Sequence, residues 1–198
     1  IASASVAQAH VAHLMSNGAK VCVKVQHRGV GKLMSADIAA IEYIAKKMAK
    51  QHPDAPNMTG LIKELRRASR EEVDFRLESE HMLRAREGLR RAGVDVGVPE
   101  PVKGCCGRHT LTMGFVEGWK ITEVARLPRG TNREELAWRL VDGFATLTFE
   151  EGLIHGDPHP GNVFVSPVRG ALEGQPAFRP VFLDWGIVQR VDAAERHA

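Results

Sequence analysis

"LIHGDPHPGNVFV", residues 153–165, sets two histidines, an aspartate and an asparagine within eight positions between two apolar runs. Prolines at 158 and 160 and glycines at 156 and 161 exclude a helix and dictate a stiff, shaped loop. His155, Asp157, His159 and Asn162 are therefore displayed on a loop, where polar groups more often act than fill a core. A second apolar run, "PVFLD" at 180–184, follows the Gly- and Pro-containing stretch "PVRGALEGQPAFR". Pairing the two runs as antiparallel strands, with Phe164 opposite Phe182, sets Asn162 opposite Asp184. Residues facing each other in such a ladder project to one side with Cα atoms about 4.5–5.5 Å apart.

An amide oxygen and a carboxylate brought together in this way suit Mg²⁺, which takes a few hard protein oxygens and leaves positions for phosphate and water. Asp157, then Asn162 five residues later, then the strand-borne "DWG" at 184–186 repeats the spacing of phosphoryl-transfer loops. Two other readings compete. A zinc hydrolase built on His155, Asp157 and His159 lacks the helical or CxxC scaffold that such ligands usually need. A purely structural loop would use its histidines to cap backbone groups.

Length and composition set the frame. A chain of 198 residues, 43% hydrophobic and 26% charged, can bury one ordinary core. The first residue is Ile1 rather than Met, and no charged segment followed by an apolar run resembles a signal or transit peptide, so the chain is read as a fragment. No apolar run is long enough to cross a bilayer. Three cysteines, Cys22 and the adjacent Cys105 and Cys106, form no spaced pairs, which argues against a disulfide framework and for a reducing compartment. The net charge is only +3, and the basic clusters lack interleaved aromatics, so nucleic acid is not an expected partner.

Along the chain, "GAKVCVKVQ" follows Asn17-Gly18, the dipeptide of a tight type I′ hairpin, and alternates as a strand that carries Lys24. "SADIAAIEYIAKKMAKQHP" predicts a helix capped by Ser35, with Ile38, Ile41, Ile44, Ala45 and Met48 on one stripe. A second helical region spans about 59–91, re-capped midway by Ser69 and Glu72 and ended by Gly93 and Gly97. Short strands follow near Val102 and at "HTLTMGFV". "TNRE" at 131–134 caps a helix with the stripe Leu136, Leu140, Phe144 and Leu147, ended by Gly152. This order predicts an α+β fold of two lobes, residues 1–117 and 118–198, meeting near Gly114 to Gly118.

Asp74 and Glu78 lie four apart and repel on a shared helix face. Arg70 is the expected relief for Asp74. Glu78 has no strong partner within its own helix, which implies a cation from elsewhere, and Lys24 on its strand is the candidate. A kinase-like site uses such a Lys-Glu pair to hold the α and β phosphates of a nucleotide.

With these motifs the chain resembles the UbiB-type (aarF-domain, ADCK) atypical kinase family of the protein-kinase-like superfamily, over nearly its whole length. "IASASVAQAH" is similar to the family's Ala-rich loop and "VCVKVQHRGV" to its lysine strand. "EEVDFRLESE" resembles the acidic ExD motif, and "HGDPHPGN" with "LDWG" resembles the catalytic and metal motifs. The resemblance implies a two-lobed protein-kinase-like fold with a truncated C-lobe. It implies ATP or ADP with Mg²⁺ as cofactors, bound by the loop Ala2, Ser3, Ala4 and Ser5 and by Lys24. Asp157 would be catalytic together with Lys24 and Glu78, Asn162 and Asp184 would hold the metal, and Glu72 and Asp74 would form the regulatory ExD pair.

His159 would help to neutralise the transferred phosphate. The Ala-rich loop, with side chains where glycines would let amides approach phosphate, implies altered nucleotide preference and weak protein phosphorylation. Trp185 stands in place of Phe in the metal motif, and Gly156 in place of an arginine that would read a phosphorylated loop. The family's KxGQ motif lies upstream of Ile1, and only residues 185–198 follow Asp184, so the segment alone is not expected to be a complete enzyme. By resemblance the phosphate acceptor is unassigned, a peripheral membrane or lipid-synthesis complex is a partner, quinone or membrane-lipid metabolism is the setting, and mitochondrion, plastid or bacterial cytoplasm is the location. Two alternatives stay open: a small-molecule phosphotransferase of the aminoglycoside or choline kinase type, and a non-catalytic nucleotide-binding module.

Overall fold

A computed structural model describes residues 2–3, 6–52, 56–127, 131–168 and 178–192, with backbone only for Ala2, Ser3 and Val124. Strands β1 (Ala2–Ser3), β2 (Ala7–His13), β3 (Lys20–Gln26) and β4 (Thr110–Gly114) form one antiparallel sheet in chain order. Its register lines up Ala2, Ala9, Lys24 and Leu111 in one cross-strand row. The β2–β3 connection is wider than the expected tight turn. The Leu14 N–H donates to the Ala19 carbonyl at 2.9 Å and the Gly18 N–H to the Leu14 carbonyl at 2.8 Å, leaving a loop at 15–18. Only Gly18 there takes a positive φ, whereas a type I′ turn needs one at both central positions. The Asn17 carboxamide instead accepts from the Ala19 N–H at 3.0 Å.

Three helices separate β3 from β4: α1 (Val30–Gln51), α2 (Thr59–Glu72) and α3 (Phe75–Ala92). Helix α1 starts five residues before the expected cap. Ser35 is inside it, and its hydroxyl donates to the Gly31 carbonyl at 2.8 Å. Of the expected stripe only Ile38 is buried, while Ile41, Ile44 and Met48 remain exposed. The second helical region breaks at Val73–Asp74 rather than at Ser69, which is buried within α2. Asp74 adopts an extended conformation and caps α3 by accepting from the Arg76 N–H at 3.2 Å. Its ion pair is with Arg76 at 2.6 Å, not with Arg70. Gly93, at φ 69°, ends α3 as expected. Gly97 lies beyond that end, pairing with a later strand.

Helix α3 is the centre of the core. Phe75, Met82, Ala85 and Leu89 are almost wholly buried at helical spacing, and Leu111, Leu147, Leu153, Val163, Phe182 and Trp185 surround them. Each such Leu or Phe contributes about 1.5–3 kcal/mol on burial. Glu78 falls on the same stripe, so the fold submerges a carboxylate among apolar side chains.

The remaining chain adds β5 (Trp119–Lys120), α4 (Arg133–Ala145) running into a π-helical turn (Thr146–Glu150), β6 (Leu153–His155), β7 (Val163–Pro167), β8 (Phe178–Phe182) and β9 (Val188–Arg190). Asn132 caps α4, accepting from the Glu135 N–H at 3.1 Å. Strands β5, β7 and β8 form one sheet, and β6 pairs with β9. Gly97 exchanges backbone bonds of 2.8 Å with β8 through Pro180 and Phe182. Gly118, at φ 148°, follows β4, and a Cβ there would meet the Val165 carbonyl oxygen at 2.2 Å.

The β7–β8 hairpin exists, but its register is one residue away from the expected one. Val163 faces Phe182, and Phe164 faces Val181. This register puts Val163 and Phe182 together in the core, and a one-residue slip would turn one of them out. Asn162 therefore stands opposite Leu183, whose N–H donates to the Asn162 carbonyl at 2.8 Å.

Candidate active site

Strand alternation carries Lys24 inward, and the row of the sheet brings it over α3. Its ammonium lies 3.0 Å from each oxygen of Glu78 and 3.2 Å from Oδ1 of Asp184. The Phe75 ring sits beneath it, with 5.1 Å from Nζ to the centroid. Glu78 is 3% exposed and the Lys24 side chain 13%, whereas Asp184 is 45% exposed and opens towards solvent. The cation anticipated for Glu78 is thus the lysine of β3.

Burial pulls the Lys24 ammonium down, but Glu78 and Asp184 outweigh it, and the group ends above the ordinary lysine value. Burial pushes the Glu78 carboxyl up, against Lys24 and the Trp185 N–H, with Asp184 adding to the rise. The two shifts pull in opposite senses, one favouring the ion pair and one opposing it. Two bonds from one ammonium to one carboxylate decide for the ionised pair.

Asp184 takes φ 54°, the sole positive φ of a described residue other than glycine. Asp tolerates this left-handed conformation better than most side chains. The backbone leaves the β8 direction there and swings the carboxylate towards Lys24. Trp185 is fully buried, and its indole N–H donates to the Phe182 carbonyl at 3.1 Å.

The loop of 155–162 forms a second cluster. The Asn162 amide donates to Asp157 Oδ2 at 2.9 Å and to its carbonyl at 3.3 Å. The Asp157 N–H donates to His155 Nδ1 at 3.3 Å, and His155 Nε2 bonds the Leu183 carbonyl at 3.0 Å. His155 thus carries its proton on Nε2 and ties the loop to the residue before Asp184. With both nitrogens engaged and the ring packed 4.8 Å from that of Trp185, His155 is unavailable to zinc. His159 caps the short turn Pro160–Asn162 by accepting from the Gly161 N–H at 3.0 Å. At Gly156 a Cβ would meet Ile187 Cγ2 at 2.5 Å, so no longer side chain fits.

Glu72, the last residue of α2, is half-buried. Burial raises its pKa, Asp184 adds to the rise and Lys24 opposes it, so this acid is in electrostatic reach of the site. Asp74 is turned away, its carboxyl held below the ordinary range by Arg76. Ala2 and Ser3 lie in β1, in the row and the neighbouring row of Lys24, while Ala4 and Ser5 lie outside the described residues.

The structure therefore brings Lys24, Glu78 and Asp184 together, with Glu72 near, and separately joins Asp157 to Asn162. The expected opposition of Asn162 to Asp184 is replaced by a link through Leu183. Sequence reasoning missed His155 as the clamp between these clusters and His81, whose Nδ1 bonds the Trp185 carbonyl at 3.2 Å. The stripe 75-78-82-85-89 was a signal for the second, since His81 flanks it. As donors, the free carboxamide oxygen of Asn162 and the exposed carboxylate of Asp184 are hard oxygens of the kind that suit Mg²⁺.

Comparison with known proteins bears on the family and the fold. The model of the ABC1 atypical kinase-like domain matches residues 1–198. Proteins named "Probable protein kinase UbiB" from strains of Vibrio cholerae are 33% identical over 170 residues, covering 84% of this chain and 31% of theirs. The chain thus spans about a third of the length of those relatives. A solved structure of the Rv3197–erythromycin complex from Mycobacterium tuberculosis is 27% identical with a TM-score of 0.70, covering 96% of this chain and 45% of that one. With its α+β, protein-kinase-like fold, the chain belongs to the UbiB/ABC1 atypical kinase family.

Proposed function

We propose that this chain holds the nucleotide site of an atypical kinase or ATPase of the UbiB type, which binds ATP or ADP between residues 1–117 and 118–198. The observation that carries the reading is the Lys24 ammonium shared between buried Glu78 and exposed Asp184. Lys24 would take the α and β phosphates, and Glu78 fixes its position. Asn162 and Asp184 would hold Mg²⁺, which when bound neutralises charge on phosphate oxygens. Asp157, which is held by Asn162 and by the His155 clamp, would orient the attacking hydroxyl or water and accept its proton. Residues 2–5 would cover the phosphates, Ala2 standing in the cross-strand row of Lys24 and Ser3 in the next.

Peripheral membrane association fits the exposed Ile41, Ile44 and Met48 of α1, flanked by Lys47 and Lys50. Quinone or membrane-lipid metabolism in a mitochondrion, plastid or bacterial cytoplasm rests on the family alone, and a reducing compartment is consistent with three free cysteines. Among the described residues no helix is long and apolar enough to cross a membrane. The erythromycin complex of the structural relative keeps a small-molecule acceptor as a second reading.

The test is Mg²⁺-dependent release or transfer of the terminal phosphate by the full protein, with water, lipid extracts and hydroxylated small molecules as acceptors. Asp157→Asn should abolish turnover and keep nucleotide binding. Binding without turnover in the unaltered protein would instead make it a regulatory module.

A further inference from the structure

Away from the Lys24 site, the β3–α1 turn, the α2–α3 junction and the segment before β4 enclose an open cavity of about 870 Å³. Arg28, Lys32, Arg70 and Arg108 line it, and none of them forms an ion pair among the described residues. The two acids in the lining are already engaged by arginines outside it: Glu71 by Arg67 at 3.1 Å and Asp74 by Arg76 at 2.6 Å. Four cations from three separate stretches of chain thus face one space, against two lining carboxylates that each already hold an arginine outside it, Asp74 also being within electrostatic reach of Arg108.

Such convergence repels unless an anion fills it. Three of the four are arginines, whose planar forks match the oxygens of a phosphate group better than a single carboxylate. No Phe, Tyr or Trp lines the cavity, which removes the stacking surface that a single-stranded nucleic acid would use.

We propose that this cavity binds the phosphate group of a phosphomonoester, borne by a small metabolite or a lipid headgroup, and that this occupancy is read at the Lys24 site. The connection is Gln26, two residues after Lys24 on the same face of β3. Its amide donates to the Val73 carbonyl at 2.6 Å and the Arg108 carbonyl at 3.2 Å, and its oxygen bonds His109 at 2.7 Å. Gln26 therefore ties the cavity wall to the α2–α3 junction at Val73, the residue between Glu72 and Asp74, and Asp74 caps the helix carrying Glu78. An anion that draws Arg70 and Arg108 together stiffens this junction.

The experiment is hydrogen–deuterium exchange on the full protein, titrated with glycerol 3-phosphate and, separately, with phosphatidylcholine vesicles containing or lacking phosphatidic acid. Slowed exchange at 26–35 and 70–77 is expected with the metabolite probe, the phosphatidic acid vesicles or both, and the effective arm identifies the source. Arg28→Glu with Arg70→Glu should raise the half-saturating concentration about a hundredfold or more, the scale of two lost charge-assisted bonds. Arg28→Lys with Arg70→Lys, which keeps the charge and guards against misfolding, should bind with a smaller loss. Arg90→Glu, an exposed reversal elsewhere on α3, should change nothing. Absence of protection with both probes, equal weakening by Arg90→Glu, or protection by a short single-stranded RNA alone would overturn the proposal. The readout is local to 26–35 and 70–77, so it stands or falls separately from nucleotide turnover.

Discussion

Lys24 and Glu78 meet at 3.0 Å across 54 residues of sequence, with the carboxylate 3% exposed inside an otherwise apolar helix face. A buried charge of this kind persists only with a partner, and removing one member leaves the other uncompensated.

Glu78→Gln should therefore destabilise the fold by on the order of 3 kcal/mol, since Asp184 still offers Lys24 a second, more exposed carboxylate. Lys24→Met combined with Glu78→Leu should cost less than Glu78→Gln alone, because two apolar side chains need no compensation. Urea unfolding of these two variants and of Lys24→Met and Glu78→Leu singly checks this, and additive losses of the two singles in the double would contradict the pairing.

The acids of the ExD motif should separate in their effects. Asp74→Ala removes a helix cap and should cost about 1 kcal/mol, with Asp74→Asn largely restoring it. Glu72→Gln should leave unfolding nearly unchanged and alter nucleotide affinity, because it removes a charge near Lys24 and Asp184. Chemical unfolding set beside nucleotide titration distinguishes the two.

His81 supplies a pH dependence. Burial holds its pKa below the ordinary 6.5, helped by Arg190 and opposed by the Trp185 carbonyl, Glu80 and Glu71. Above that value both folded and unfolded forms are neutral. Below it the unfolded chain takes up a proton that the folded one resists, so stability falls as pH drops from about 6.5 towards the lowered folded value. His81→Gln should flatten this part of the stability profile measured between pH 7 and 5, and an unchanged slope would count against the buried neutral ring.

Gly118 combines φ 148° with a Cβ position 2.2 Å from the Val165 carbonyl oxygen. Both the conformation and the contact resist a side chain, so Gly118→Ala should cost about 3 kcal/mol or more. A lowered thermal midpoint, without change at the exposed and open Gly60→Ala, is the expected pattern.

Much of this organisation is legible in the sequence because its signals are local or chemical. The Pro- and Gly-studded loop, the alternation around Lys24 and an acid lacking a helical partner each point to one arrangement, and the structure joins Lys24 to Glu78 accordingly. Register was not legible. The apolar runs at 163–165 and 181–183 accept two pairings, and the choice depends on Phe182 sharing the core with Val163 and on Asp184 leaving the ladder at positive φ. The break at Asp74 was hidden by the capping-box spacing at Ser69, because burial of Ser69 overrode its preference for a helix start. The exposure of Ile41, Ile44 and Met48 could not be read from periodicity, which gives a stripe but not what covers it.

Thermal unfolding of the full protein with Mg²⁺ and ADP or ATP tests the central claim most directly. At about 100 times its dissociation constant the nucleotide should add roughly 2.7 kcal/mol, and Asp184→Asn should remove the metal-dependent part of that gain. An unfolding curve indifferent to Mg²⁺-nucleotide, or a gain that Asp184→Asn leaves intact, would contradict a nucleotide site built on Lys24 and Asp184.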